Sequence, residues 1–410
     1  MASSTTFVIV GGGLAGAKAA EALRDKGFDG QIVLYSEEGH LPYERPPLSK
    51  EFLAGKKSLS DFTVHDSAWY RENGIDLRLG ARVLTVDPAE HTVRLLDNTT
   101  MGYGKLVLAT GSRSRRLHIP GSDAAGVHYL RTFDDASTLN SALADGSSLA
   151  VVGAGWIGLE VAASARQRGV NVTVVETAKL PLMAALGEEA GNVFATLHRD
   201  HDVDLRLQSQ VEQISTADGK ATGLRLGDGS TIAADAVLVA VGALPNTELA
   251  EQAGLSTGDG GVLVDASLRS TDADIYAVGD IAAARHPLFG TRIRTEHWAN
   301  ALKQPAVAAA GMLGEPAEYT ELPYFFTDQY DLGMEYVGHA PTYDRVVFRG
   351  DVDRREFVAF WLDTGNRVLA GMNVNIWDVL DDVKRLILSK RPVDPDRLAD
   401  PQAPLGELAS

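Results

Sequence analysis

The sequence predicts an α/β protein in which one strand–turn–helix–strand plan is used twice, and three observations predict it. The first is the opening of the chain. A short apolar run, Phe7-Val-Ile-Val10, leads straight into Gly11-Gly-Gly-Leu-Ala-Gly16, then an Ala-rich helical stretch over 17–26 and a second apolar run over 31–36 ending at Glu37. The second is its return: Leu149-Ala-Val-Val152, Gly153-Ala-Gly-Trp-Ile-Gly158, a helix over 159–168, a strand over 171–175, and then Glu176. The third is a later matched pair. Leu95-Leu-Asp-Asn-Thr-Thr-Met leads to Leu106-Val-Leu-Ala-Thr-Gly111, and Leu226-Gly-Asp-Gly-Ser-Thr-Ile leads to Val237-Leu-Val-Ala-Val-Gly242.

A lone G-x-G-x-x-G is weak, but both copies here have a strand before, a helix after and an acidic residue closing the next strand. The chemistry explains the glycines. The first of each set (Gly11, Gly153) makes the turn, the second (Gly13, Gly155) lets backbone approach a pyrophosphate, and the third (Gly16, Gly158) lets helix lie close on strand. The helix N-terminus then offers free N–H groups and partial positive charge to phosphate. Glu37 lies 26 residues past Gly11 and Glu176 lies 23 past Gly153, near the ~20 at which a carboxylate meets a ribose 2′-hydroxyl. These are two Rossmann-like dinucleotide-binding domains. At Glu176 a carboxylate pairs with a free 2′-hydroxyl and repels a 2′-phosphate, and Lys179 is the only nearby cation, so NADH is favoured over NADPH.

Two dinucleotide sites in one chain point to a flavin plus a nicotinamide. A further segment, Asp272-Ala-Asp-Ile-Tyr-Ala-Val-Gly-Asp280, reads as a short strand ending at the start of an Ala-rich helix over 281–284. Asp280 would there hold a ribityl hydroxyl beside the helix N-terminus, although a simple helix cap would look the same.

Composition narrows the class. The 410 residues carry a net charge of −17, which repels phosphate backbones and anionic lipid, so neither nucleic acid nor a membrane surface is an expected partner. There is no cysteine: no disulfide, no thiolate metal site, no iron–sulfur cluster held by this chain and no thiol nucleophile. The stretch 1–23 lacks a basic leader before its apolar run and reads as strand turning into helix. No apolar run approaches ~18 residues, so a cytoplasmic location is expected. No histidine cluster reads as a metal site. His198 and His201 read as a polar helix end, and His297 as a local hydrogen-bonder.

The quoted segments, with Pro42-Tyr-Glu-Arg-Pro-Pro-Leu-Ser-Lys50, Ala109-Thr-Gly111, Gly242-Ala-Leu-Pro-Asn246, Glu296-His-Trp-Ala-Asn300 and Asp328-Gln-Tyr330, carry a resemblance over essentially the whole chain. The sequence resembles the FAD-dependent, NADH-oxidising ferredoxin reductases of oxygenase systems (the putidaredoxin reductase and rubredoxin reductase-like group). These lie within the glutathione-reductase-like superfamily. The resemblance implies that the first copy binds FAD and the second NADH. It implies an FAD-binding domain split over 1–113 and 245–319, an NAD-binding domain over 114–244, and a C-terminal α+β domain over 320–410.

The same resemblance implies FAD contacts at Ala15, Glu37, Arg45, Lys50, Val83, Ala109, Thr110, Gly111, Arg131, Asp280 and Trp298. It implies NAD contacts at Trp156, Ile157, Glu160 and Gly242 along with the second glycine turn. Lys50 and Glu160 would lie close to flavin N5 and the nicotinamide. The two prolines before Lys50 stiffen its loop, and Glu160 is expected in the first turn of its helix, where the dipole favours a carboxylate. One departure is Phe326, where relatives often carry tryptophan.

The missing thiols choose among relatives, because disulfide reductases and peroxidases of this architecture need redox cysteines. Electrons must leave the reduced flavin directly, which suits a one-electron acceptor: a [2Fe–2S] ferredoxin, with rubredoxin the other candidate, feeding an oxygenase such as a cytochrome P450 or a ring-hydroxylating dioxygenase. Basic residues that would steer an acidic ferredoxin are Arg292, Arg294 and Lys303, and Lys384, Arg385, Lys390 and Arg391. Two alternatives fit the same residues: an NADH-dependent reductase of a small acceptor such as a quinone or radical, and an NADH-sensing flavoprotein.

Overall fold

The computed structural model describes residues 5–408, and the chain divides into two compact units. The first comprises the chain up to Glu44, Leu59–Arg113 and Ala243–Pro323. Its centre is a five-stranded parallel sheet in the order Ile275–Ala277, Lys105–Leu108, Thr6–Val10, Gln31–Tyr35, Ile75–Arg78. Strands covered on both faces read as unbroken apolar runs. Val8, Ile9, Val33 and Leu34 are accordingly buried in one core with Leu106 and Ile275. The helices Leu14–Asp25 and Trp298–Met312 lie against each other over this sheet.

The second unit holds Arg45–Ser58, Ser114–Gly242 and the chain from Tyr324 on. Its parallel sheet runs Asp204–Arg206, Asn171–Val175, Ser148–Val152, Ala236–Val239, Val127–His128. This is the same build around the second glycine turn. A second, antiparallel sheet follows in the order Tyr324–Gln329, Leu332–Gly338, Val368–Val374, Glu356–Leu362, Arg345–Asp351. The helix Leu380–Ser389 covers it, burying Val383, Leu386 and Ile387.

Three local expectations change. The helices begin three residues earlier than periodicity alone places them, at Leu14 and Trp156, because the extended Gly13 and Gly155 lead directly into helical backbone. Glu160 is therefore in the second turn of Trp156–Arg166, beyond the reach of the end dipole, which falls off within the first turn. The Ala-rich segment after Asp280 is not a helix. Gly279–Ile281 is one 3₁₀ turn, and Ala282–His286 is a strand paired with Gly261–Val264 and Thr291–Ile293. Ladder bonds on both sides outweigh the helix propensity of three alanines.

The helix Met183–Asp200 is kinked at Gly187, whose φ is 82°. The buried Trp361 donates its indole N–H to the Leu186 carbonyl at this kink, at 3.1 Å. Leaving a buried carbonyl without its donor costs about 1–3 kcal/mol. Trp361→Phe should therefore lower stability by that amount in urea unfolding, and a loss below about 0.5 kcal/mol would show that the kink needs no such bond.

Candidate functional site

In the first unit the turn Gly11–Gly16 is shaped by contact. Gly11 has φ 122°, and a Cβ there would lie 2.1 Å from the Ala109 carbonyl oxygen. At Gly13, the cap of the helix, a Cβ would meet nothing within 4 Å, and no side chain satisfies the first helical N–H groups. Bare donors facing open space are what a pyrophosphate needs. Ala15 faces Gly279, where a Cβ would lie 3.3 Å from the Ala15 methyl, so the Gly279–Asp280 turn adjoins this helix start. The Asp280 carboxylate is buried and accepts from the Ser112 hydroxyl at 2.6 Å, while Gln304 accepts from Gly279 N–H at 2.7 Å.

The neighbouring Ala109-Thr-Gly111 segment is tied to Asn246: the Thr110 hydroxyl donates to its carbonyl at 2.8 Å, and Asn246 N–H donates to the Gly111 carbonyl at 2.9 Å. Val83 is buried in a small antiparallel sheet. Trp298 starts its helix and donates to Glu44 at 3.2 Å. Glu37 is exposed and paired with Arg82 at 3.2 Å, whereas the neighbouring Glu38 accepts from Tyr43.

The second unit repeats the turn. Gly153 has φ 103°, a Cβ there would lie 2.4 Å from the Ala240 carbonyl oxygen, and Gly155 caps its helix with open space beside it. Here the turn opens on a cavity of about 370 Å³ lined by Gly153, Gly155, Glu176, Thr177, Ser209 and Gly242 among others. Glu176 accepts from Ala154 N–H at 2.7 Å and Ala178 N–H at 2.8 Å. Its carboxylate thus closes the glycine turn and keeps room for a further donor. Ile157 is 42% exposed at the helix start, beside Trp156, whose ring lies against Phe325 at 4.8 Å. Both glycine turns fit a dinucleotide.

The densest chemistry of the second unit surrounds Glu160, which is only 4% exposed. Lys50, delivered by the Pro46–Ser49 turn, donates to its Oε2 at 3.0 Å, the Ser49 hydroxyl donates to the same oxygen, and the Thr327 hydroxyl donates to Oε1 at 2.7 Å. The family resemblance singled out Lys50 and Glu160 and gave no role to Ser49, which precedes Lys50 in the same quoted segment, or to Thr327. The Lys50 ammonium also lies 5.6 Å from the Phe326 ring centre, a cation–π distance. Beside it, burial pushes the Asp328 carboxyl up despite the pull of Lys50. Arg45 and Arg131 belong to this unit as well: the Arg45 guanidinium donates to the Arg131 carbonyl, and Arg131 N–H donates to Asp135 at 3.0 Å.

His198 corrects the sequence reading. It lies in the last turn of its helix, before the exposed Arg199 and Asp200, as expected, but it is fully buried rather than solvated, because its helix carries it against the antiparallel sheet, where Gln329 meets it at 2.8 Å. His201 caps the helix and stacks on Tyr330 at 3.7 Å. Among the described residues no group of three or more His, Asp or Glu could hold a metal, and no helix is long and apolar enough to cross a membrane. Five of the expected docking cations are engaged locally. Lys303 pairs with Glu321, Arg294 with Glu296, Lys384 with Asp381 and Arg385 with Asp382. Arg292 donates to the Val264 and Ala283 carbonyls.

Two glycine turns of one build, each opening an uncapped helix start, define a two-dinucleotide oxidoreductase architecture. Residues 5–305 match the pyridine nucleotide-disulphide oxidoreductase family and residues 324–409 a reductase C-terminal family; the chain belongs to the former, whose members use FAD and NAD(P)H. It is 42% identical over 399 residues to the ferredoxin–NAD(+) reductase component of the anthranilate 1,2-dioxygenase system of Burkholderia cepacia, covering 97% of this chain and 98% of that protein. It is 36% identical to putidaredoxin reductase of Pseudomonas putida, covering 100% and 97%. A solved covalent putidaredoxin reductase–putidaredoxin complex superposes with a TM-score of 0.95 at 35% identity, over 98% of each chain.

Burial holds the imidazole of His198 down at about 4, against about 6.5 for an exposed histidine. Between those values the unfolded chain is protonated at this site and the folded one is not, so stability rises with pH there and is lost as pH falls from 6.5 to 4. The difference in unfolding free energy between wild type and His198→Gln should change by roughly 3 kcal/mol across this window. A difference that stays constant with pH would mean the histidine titrates normally.

Proposed function

We propose that this chain oxidises NADH and passes the electrons singly to a small iron–sulfur protein, a [2Fe–2S] ferredoxin in the first place and rubredoxin in the second, that feeds an oxygenase. The observation that carries the reading is the buried Lys50–Glu160 pair, set on the second dinucleotide helix of a chain with no cysteine. With no thiol to relay them, electrons must leave a bound flavin directly. The relatives that match nearly end to end include ferredoxin reductase components of oxygenase systems.

The split domain 1–113 and 245–319 would hold FAD through the Gly11–Gly16 turn, Ala109–Gly111, Asp280 and Trp298. Glu37, Val83, Arg45, Arg131 and Lys50 complete the assigned set. The domain 114–244 would hold NADH through Gly153–Gly158, Glu176 and Gly242, and 320–410 supplies the strand bearing Phe326 and Thr327. FAD, when bound, accepts a hydride as an electron pair and releases electrons one at a time. The chain's own part is to align donor and acceptor and to keep a compensated cation, Lys50, beside them. Glu176 supports a preference for NADH, and the donor fits a cytoplasmic location.

NADH-driven cytochrome c reduction with a panel of [2Fe–2S] ferredoxins and rubredoxins tests the proposal. At least one should raise turnover by an order of magnitude or more over protein without carrier. No stimulation by any carrier would overturn it.

For docking we propose Arg292, Arg294, Lys303, Lys384 and Arg385. The ion pairs of Lys303, Lys384 and Arg385 are exposed, and exposed pairs are worth ~0–1 kcal/mol, so their carboxylate partners yield readily to an acidic surface. Lys384→Glu with Arg385→Glu should raise the apparent KM for ferredoxin severalfold at low salt and leave that for NADH alone; an unaltered ferredoxin KM would remove this patch.

A further inference from the structure

One face of the strand Tyr324–Gln329 meets two helices of the second unit in register. Successive residues of a strand point to opposite sides, and here Phe325 touches Trp156, Thr327 touches Glu160 and Gln329 touches His198. The last two contacts join into a chain. Thr327, Gln329 and His198 are at most 1% exposed, and buried polar side chains are costly unless every group is matched.

The carboxylate sets the direction of this chain, since it can only accept. The Thr327 hydroxyl donates to Glu160 at 2.7 Å and accepts from the Gln329 amide nitrogen at 3.2 Å. The Gln329 oxygen then faces His198 Nε2 at 2.8 Å, which must be the protonated nitrogen, and Nδ1 accepts from the Tyr330 hydroxyl at 3.4 Å. Every donor points toward Glu160. A neutral imidazole is required, and burial of His198 keeps it neutral.

We propose that Thr327, Gln329 and His198 are positioning residues that hold the Glu160 carboxylate in one orientation and thereby fix where the Lys50 ammonium sits during NADH oxidation. This rests on the functional reading above. Thr327 fastens Oε1, leaving Oε2 as the oxygen that faces Lys50 and Ser49. Without it the carboxylate is held at Oε2 alone, by two groups of one loop, and its orientation is no longer fixed independently of the ammonium.

Two measurements on the FAD-loaded full chain test this. In ¹⁵N-histidine spectra, with the His198 signal assigned by its loss in His198→Gln, the ring should be a single Nε2–H tautomer, and Glu160→Gln should shift that proton's resonance. An Nδ1–H tautomer, or a resonance indifferent to Glu160→Gln, overturns the chain. In stopped flow, Thr327→Val should slow flavin reduction by NADH roughly tenfold or more at an unchanged Kd for NADH. Thr327→Ser should restore the rate to within about twofold, and Thr327→Val should add nothing in a Glu160→Gln background. A slow Glu160→Gln enzyme with a fast Thr327→Val enzyme, or equal slowing in both backgrounds, overturns the positioning role alone. A Glu160→Gln enzyme reduced as fast as wild type overturns the role of Glu160, and this proposal with it.

Discussion

A buried carboxylate is the constraint on which much of the second unit depends. Glu160 sits in a helix whose other residues before Arg166 are small or apolar, with Val161, Ala162 and Ala163 buried beside it. An unpaired charge in such a place is not tolerated; removing one partner of a buried pair costs ~3–5 kcal/mol. The compensation comes from two separated stretches of chain: Ser49 with Lys50, and Thr327. Replacing the pair by apolar residues is often neutral for stability, so this set of donors is better understood as a device for holding a charge in place than as a source of fold stability.

The two glycine turns share a backbone solution and diverge in their side chains. In both, backbone crowds the first glycine against the carbonyl of a neighbouring strand end, so the turn is determined by the sheet rather than by a ligand. What differs is the acidic residue after the second strand. Glu176 folds back onto its turn and lines the cavity, whereas Glu37 faces Arg82 at the surface. The two turns share the cradle and differ in the carboxylate beside it.

Much of this was legible in the sequence because it follows from local rules. The parallel strands, both glycine turns and the acidic strand ends show as apolar runs, glycine spacing and charge position. The failures have a common cause as well. Ala282–Ala284 became a strand because partners distant in sequence offered it ladder bonds on both sides. The burial of His198 at its helix end does not show in sequence, because the helix carries no sign of the sheet that covers it. Ser49 and Thr327 were invisible for the same reason: a hydroxyl acquires a function only from the group that the fold sets opposite it.

That asymmetry bears on what the C-terminal sheet is for. Phe326 and Thr327 are adjacent and so point to opposite sides of one strand. The ring lies within cation–π distance of the Lys50 ammonium, while the hydroxyl holds the carboxylate that pairs with it. A single strand thus bears on both members of the ion pair, from two directions. A role for the ring alone would leave the buried Thr327–Gln329–His198 series without a purpose. Positioning accounts for both faces at once, and it does so with side chains that carry no electrons.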